Sequence, residues 1–189
     1  MSNEPLERWT SRDAVELYGV REWSGGFFDV SESGHLRVKP RGTGSDVSFS
    51  LMEIVAGLGE RGLTAPVLLR FGDILAARVS TINEAFTAAM VTAGYQGTYR
   101  GVYPVKVNQQ QQVVQEIADF GRTYHHGFEV GSKAELTAAM AYLNDEEAYL
   151  VCNGYKDEEF IRLALCAQKL GLNTYLVIEM ASELPMILK

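Results

Sequence analysis

The sequence is short of cysteine, histidine, basic residues and long apolar runs, and each shortage excludes something. Its two cysteines, Cys152 and Cys166, form no C-x-x-C pair. That excludes a disulfide scaffold and suits reduced thiols in a cytoplasm. Of three histidines, His125 and His126 are adjacent. Neighbours on a strand would point apart, and no third ligand has metal-site spacing. No run approaches the roughly 20 apolar residues that span a bilayer, so no membrane location is expected. The N-terminal stretch MSNEPLERWTSRD is polar and mixed in sign, which argues against a signal peptide. Seventeen Lys+Arg against twenty-four Asp+Glu give a net charge of −7 with no basic cluster. Nothing here would neutralise a row of phosphates, so nucleic acid is not an expected partner. What is present, 47% hydrophobic and 22% charged residues, is the composition of a globular domain. The acidic balance would draw cationic substrates.

The first 45 residues read differently from the rest. Phe27 to Val30 and His35 to Val38 are short aromatic or β-branched runs around Ser31-Glu32-Ser33-Gly34, which predicts a β-hairpin. Ser50-Leu51-Met52-Glu53 has the S-x-x-E form of a helix cap, with Leu51, Ile54, Val55 and Leu58 at helical spacing behind it. From Pro66 onward strands and helices alternate. Strands are expected at 67–71, 99–107, 127–130, 148–152 and 174–178. A long helix carries Ile74 to Met90, a second carries Val113 to Ala118, and others cover 132–143 and 157–170, with Gly171 placed to end the last. Such alternation predicts an α/β protein with a parallel sheet and right-handed crossovers. Five strands are complete as an open doubly wound sheet, but fall short of the eight that a barrel builds from around 250 residues. A further helix opens near Ser182-Glu183 and is cut at Lys189, which favours an unfinished barrel. The expected organisation is an N-terminal segment over 1–65, part of an incomplete β domain, and the N-terminal half of a barrel over 66–189.

Lys106 closes the second expected strand, in Tyr103-Pro104-Val105-Lys106-Val107-Asn108. The C-terminal strand ends are where a barrel projects its catalytic side chains. Period-two alternation places Lys106 on the face of Val102 and Pro104. A lysine held among apolar neighbours loses ammonium solvation and becomes the nucleophilic amine that imine chemistry needs. The spacing alone favours a lysine snorkelling from a strand end. Gly57-Leu58-Gly59-Glu60-Arg61-Gly62 is literally G-x-G-x-x-G, but it follows a helix and precedes an expected strand, the reverse of a dinucleotide site. Gln109 to Gln112 is a polar run at a helix start.

YPVKVNQ, FEVGSKAEL and VCNGYKDEEFIRLAL occur in that order on successive strand–helix units. Together they resemble the biosynthetic arginine decarboxylases, enzymes of the alanine-racemase-like barrel class (fold type III) that use pyridoxal 5'-phosphate. The likeness begins at GGFFDVSESGHLRVKP and runs to LVIEMASELPMIL, nearly the whole chain. It implies a partial (β/α)8 barrel of about five strands behind the hairpin segment. It also implies decarboxylation of arginine to agmatine and CO2 in cytoplasmic polyamine biosynthesis, with magnesium as a further cofactor. By that resemblance Lys106 is the imine-forming lysine. Glu129 matches an acidic residue near the cofactor in the wider ornithine and diaminopimelate decarboxylase class, although an exposed strand-end carboxylate would look the same. Glu135 matches a second such acid, but Ser132-Lys133-Ala134-Glu135 is itself a capping box and explains it structurally. The resemblance places the ring-nitrogen carboxylate, a stacking histidine and the phosphate loop on later strands, and implies a homo-oligomer with shared active sites. A sibling decarboxylase of another amino acid, or a truncated non-catalytic homologue partnering a full subunit, are the competing readings.

Overall fold

The computed structural model describes residues 8–188. The first seven residues of the polar N-terminal stretch lie outside them, as does Lys189, where the last helix is expected to be cut. The chain divides into two compact units, one up to Ile74 and one from Leu75 onward.

The first unit opens with α1 (Ser11–Leu17), capped by Thr10, whose hydroxyl accepts from the Asp13 N–H while the Asp13 carboxylate accepts from the Thr10 N–H. A second short helix, α2 (Val20–Ser24), leads into the expected hairpin. Strands β1 (Phe28–Val30) and β2 (Leu36–Val38) pair antiparallel, with Phe28 opposite Val38. Val38 is fully buried, and the Trp23 ring packs on Phe28 with centroids 5.4 Å apart. A two-residue strand β3 (Phe49–Ser50) adds to β2. Ser50 then caps α3 (Leu51–Glu60) by accepting from the Glu53 N–H. Gly57 and Gly59 lie inside this helix, which disposes of the glycine pattern as a nucleotide loop.

The expected strand at 67–71 does not form. These residues carry no ladder pairing, and Leu68 is 74% exposed. A short apolar run becomes a strand only where other strands hydrogen-bond it, which its own residues do not encode. Instead Phe71 turns its ring edge-on to Phe28 at 6.4 Å.

Helix α4 (Gly72–Ala93) comes next, and the second unit then alternates as expected. Strand β4 (Val102–Pro104) runs into a 3-10 turn at Val105–Val107 and helix α5 (Gln111–Gly121). Strand β5 (Gly127–Val130) is followed by α6 (Lys133–Tyr142), and β6 (Tyr149–Cys152) by α7 (Glu158–Lys169). Strand β7 (Asn173–Leu176) leads through a 3-10 turn at Ala181–Glu183 to α8 (Leu184–Ile187). The sheet order is β4-β5-β6-β7, all parallel and in chain order.

Alternation along the strands divides the sheet into two faces. Phe128, Val130, Leu150 and Cys152 are fully buried in one cluster with Ile117 of α5, Leu136 of α6 and Phe160 of α7. Glu129, Tyr149, Val151 and Tyr175 occupy the alternate positions, with Tyr175 46% exposed. Helices packed on one face while strands add in chain order describe an arc of a barrel, not a doubly wound sheet with both faces covered. Among the described residues no helix is long and apolar enough to cross a membrane.

Candidate active site

The C-terminal ends of the four parallel strands gather the chemistry. Pro104, already the last residue of β4, stands opposite Glu129 in the ladder, so the residues just after Pro104 lie beside the Glu129 carboxylate. Those residues form a 3-10 turn, not the strand that Val-Lys-Val predicts. The turn buries Val105 completely in the helix-side core and swings Lys106 outward, with its side chain 65% exposed. The strand-face placement and apolar surround expected for Lys106 are therefore both corrected. Its amine is presented to the open rim, 4.0 Å from Glu129 Oε1. The Tyr103 hydroxyl steadies the turn by donating to the Asn108 carbonyl at 3.2 Å.

Glu129 is buried, which rules out the exposed strand-end carboxylate. Its Oε1 accepts from Asn153 Nδ2 at 3.0 Å, while Oε2 is buried and accepts no hydrogen bond. A buried carboxylate oxygen without a donor costs free energy that most folded chains avoid. Here it lies on the carboxylate next to an exposed primary amine.

Glu135 does more than close a capping box. Ser132 Oγ accepts from the Glu135 N–H, but the Glu135 carboxylate reaches the Gly131 N–H (2.8 Å) and Gln109 Nε2 (3.1 Å). It ties the loop after β4 to the loop after β5. The next strand contributes Asn153 and Gly154, the latter at φ +82°, in the left-handed region that glycine adopts without strain. The Gly154 N–H donates to Asn153 Oδ1 and to Glu179 Oε1, which lies beyond β7. Beneath that turn Lys156 and Glu183 form an ion pair with both side chains 0% exposed. Burial alone would raise the Glu183 pKa. The N–H groups of Glu179 and Lys156 and the Lys156 ammonium outweigh it and hold the carboxyl below its ordinary value.

Sequence reasoning missed Asn153, Lys156, Glu179 and Glu183. An Asn-Gly turn signal was present for the first, but no local pattern joins Lys156 to Glu183 across 27 residues. Cys152 ends β6 at the same rim, but burial pushes its thiol up to about 11, against a smaller opposing pull from Lys156, so it stays protonated and unreactive at neutral pH. The two histidines belong elsewhere. His125 sits in a left-handed turn, not on a strand, and bonds Asp145. His126 is buried against Asn83. Among the described residues no group of three or more His, Cys, Asp or Glu is placed to hold a metal ion.

The sequence pattern of the family described as "Pyridoxal-dependent decarboxylase, pyridoxal binding domain" matches residues 79–189. The chain belongs to that family. It is similar to the biosynthetic arginine decarboxylase of Gloeobacter violaceus, with 44% identity over 184 residues, 97% of this chain and 28% of the relative. It is 47% identical to that of Deinococcus radiodurans over 181 residues, 96% of this chain and 27% of the relative. Among solved structures, the biosynthetic arginine decarboxylase from Campylobacter jejuni superposes with a TM-score of 0.82 at 35% identity, covering 90% of this chain and 28% of that one. The chain thus spans little more than a quarter of the length of the curated relatives it matches. The rim residues fit the family's cofactor: an exposed amine can bond a carbonyl, and the unpaired Glu129 Oε2 can accept from a donor brought to it.

Proposed function

We propose that this chain forms the cofactor-bearing arc of an arginine decarboxylase, releasing CO2 from arginine to leave agmatine, with Lys106 and Glu129 as its reacting pair. The observation that carries the reading is the exposed Lys106 amine beside a carboxylate whose second oxygen is buried and unpaired. An oxygen held without a partner is a cost to the fold that a bound donor would remove. Arginine, rather than another amino acid, is supported by similarity to arginine decarboxylases across nearly the entire chain.

Bound pyridoxal phosphate supplies an electron sink for the pair left behind when the bond to the departing carboxylate breaks. Lys106 Nζ would hold that group, as the primary amine this rim presents to a carbonyl. It lies 4.0 Å from Glu129 Oε1, where it can hold a proton. Glu129 Oε2 would accept a hydrogen bond from the ligand, and Asn153 keeps the carboxylate turned to do so. The N-terminal unit belongs, on this reading, to a β-rich domain completed elsewhere in a polypeptide as long as the relatives. A cytoplasmic homo-oligomer is the expected setting, and the charge of −7 suits a cationic amino acid better than nucleic acid.

The test is substrate choice. The enzyme containing this chain, loaded with pyridoxal phosphate, is assayed for CO2 release from arginine, ornithine and diaminopimelate. The expected result is a kcat/KM for arginine at least about a hundredfold above the others. Preference for ornithine or diaminopimelate, or no release from any of them, would overturn the reading.

A further inference from the structure

The Lys156–Glu183 pair is fully buried, yet an ion pair is a poor way to hold two loops together. Removing both charges from water offsets most of their attraction, and apolar side chains of similar volume commonly hold as well. What a fixed pair of charges supplies instead is geometry, and here the Lys156 ammonium carries it to the Asn153–Gly154 turn. Glu183 Oε1 accepts from the Lys156 N–H at 3.1 Å, and Oε2 accepts from the Glu179 N–H at 3.0 Å and from Lys156 Nζ at 3.4 Å. Lys156 Nζ donates in turn to the Gly154 carbonyl at 2.5 Å. The other side of the same glycine, its N–H, donates to Asn153 Oδ1 at 2.9 Å. With its oxygen so engaged, the Asn153 amide has its nitrogen left for Glu129 Oε1.

We propose that the buried Lys156–Glu183 pair is a positioning device: it fixes the Asn153–Gly154 turn so that Asn153 holds the Glu129 carboxylate beside Lys106. Neither residue of the pair touches the reacting atoms; both act through Asn153. The value of this to catalysis rests on the roles proposed above for Lys106 and Glu129, while the placement of the carboxylate does not.

The readout is therefore the Asn153–Glu129 contact itself, in the cofactor-free enzyme. Crystal structures of the unchanged enzyme and of Glu183→Gln give the separation of Asn153 Nδ2 and Glu129 Oε1, 3.0 Å with the pair intact. Glu183→Gln should open that contact beyond hydrogen-bond reach and turn the Glu129 carboxylate away from Lys106. Asn153→Ala should turn the carboxylate in the same way, and adding Glu183→Gln to it should change nothing further. If Glu183→Gln does not fold, Lys156→Met takes its place, since it leaves the carboxylate its two backbone donors. A lowered melting temperature with the Asn153–Glu129 contact unchanged in the pair variant would overturn the proposal, leaving the pair as a loop tie alone. In the cofactor-loaded enzyme Glu183→Gln should lower kcat by about tenfold while KM stays within twofold. Should arginine not prove to be the substrate, the function reading falls while the Asn153–Glu129 contact in the variants still decides this one.

Discussion

The two ends of the same parallel sheet handle polar groups in opposite ways. At the N-terminal end the groups are paired with one another. His125 Nδ1 meets Asp145 at 2.9 Å, and Arg100 meets Glu147 at 2.8 Å. Asn83 donates one amide hydrogen to the Val79 carbonyl and faces His126 Nδ1 with the other. At the C-terminal end a buried oxygen of Glu129 is left without a donor, and an exposed amine stands beside it. One end of the sheet serves the fold and the other bears an unmet demand. A bound donor would relieve that demand, which is the role proposed for this rim.

The contrast breaks most visibly in rate. Glu129→Gln removes a charge from the rim and should cut kcat on the order of a hundredfold, with little change in the melt. His126→Gln at the other end should leave kcat within twofold in the same assay. A large loss of rate from His126→Gln would erase the distinction.

Next in size is stability at the sheet itself. A Cβ on Gly127 would be driven into the backbone carbonyl of Tyr149 on the neighbouring strand. Backbone cannot step aside as a flexible side chain can. Gly127→Ala should destabilise by about 3 kcal/mol or more, read as loss of a cooperative thermal transition. The partly exposed His125–Asp145 contact contributes less. Asp145→Asn should cost no more than about 1 kcal/mol, fading with added salt, with activity intact.

The smallest effects separate the two ends by pH. Burial lowers the His126 pKa, so the unfolded chain binds its proton more readily than the folded one. Its contribution is present above the unfolded value of about 6.5 and is lost as pH falls toward the folded pKa. His126→Gln should therefore flatten the fall in melting temperature between pH 7 and 5; an unchanged slope would refute this. Glu183 is held below its ordinary carboxylate value. Its contribution is present above the unfolded pKa and is lost in the more acid window, as pH falls through the folded pKa. Glu183→Gln should flatten the acid limb and leave the pH 5–7 slope as it was.

What could be read from the residues was whatever short-range chemistry decides. Ser50 and Ser132 cap their helices through bonds to N–H groups three residues on, and the S-x-x-E pattern announces both. The third expected strand, 127–130, is bounded by glycines and emerged at those limits. The run at 67–71 is more apolar still but has no ladder partner, and pairing is not a local property. Lys106 was found by its setting in YPVKVNQ, whereas its exposure was not: two valines around a lysine favour a strand, and the 3-10 turn arises because Val105 is drawn into the helix-side core. The burial of Glu129 and the Lys156–Glu183 pair depend on ladder register and on loops far apart in the chain.

The central claim is that the Lys106 amine is the one that bonds the cofactor. Borohydride reduction of the loaded enzyme makes that bond permanent, and peptide mapping locates it. The label is expected on the peptide holding Lys106, and is expected to disappear together with activity in Lys106→Ala. Label on Lys133 or Lys156, with Lys106→Ala still releasing CO2, would contradict it.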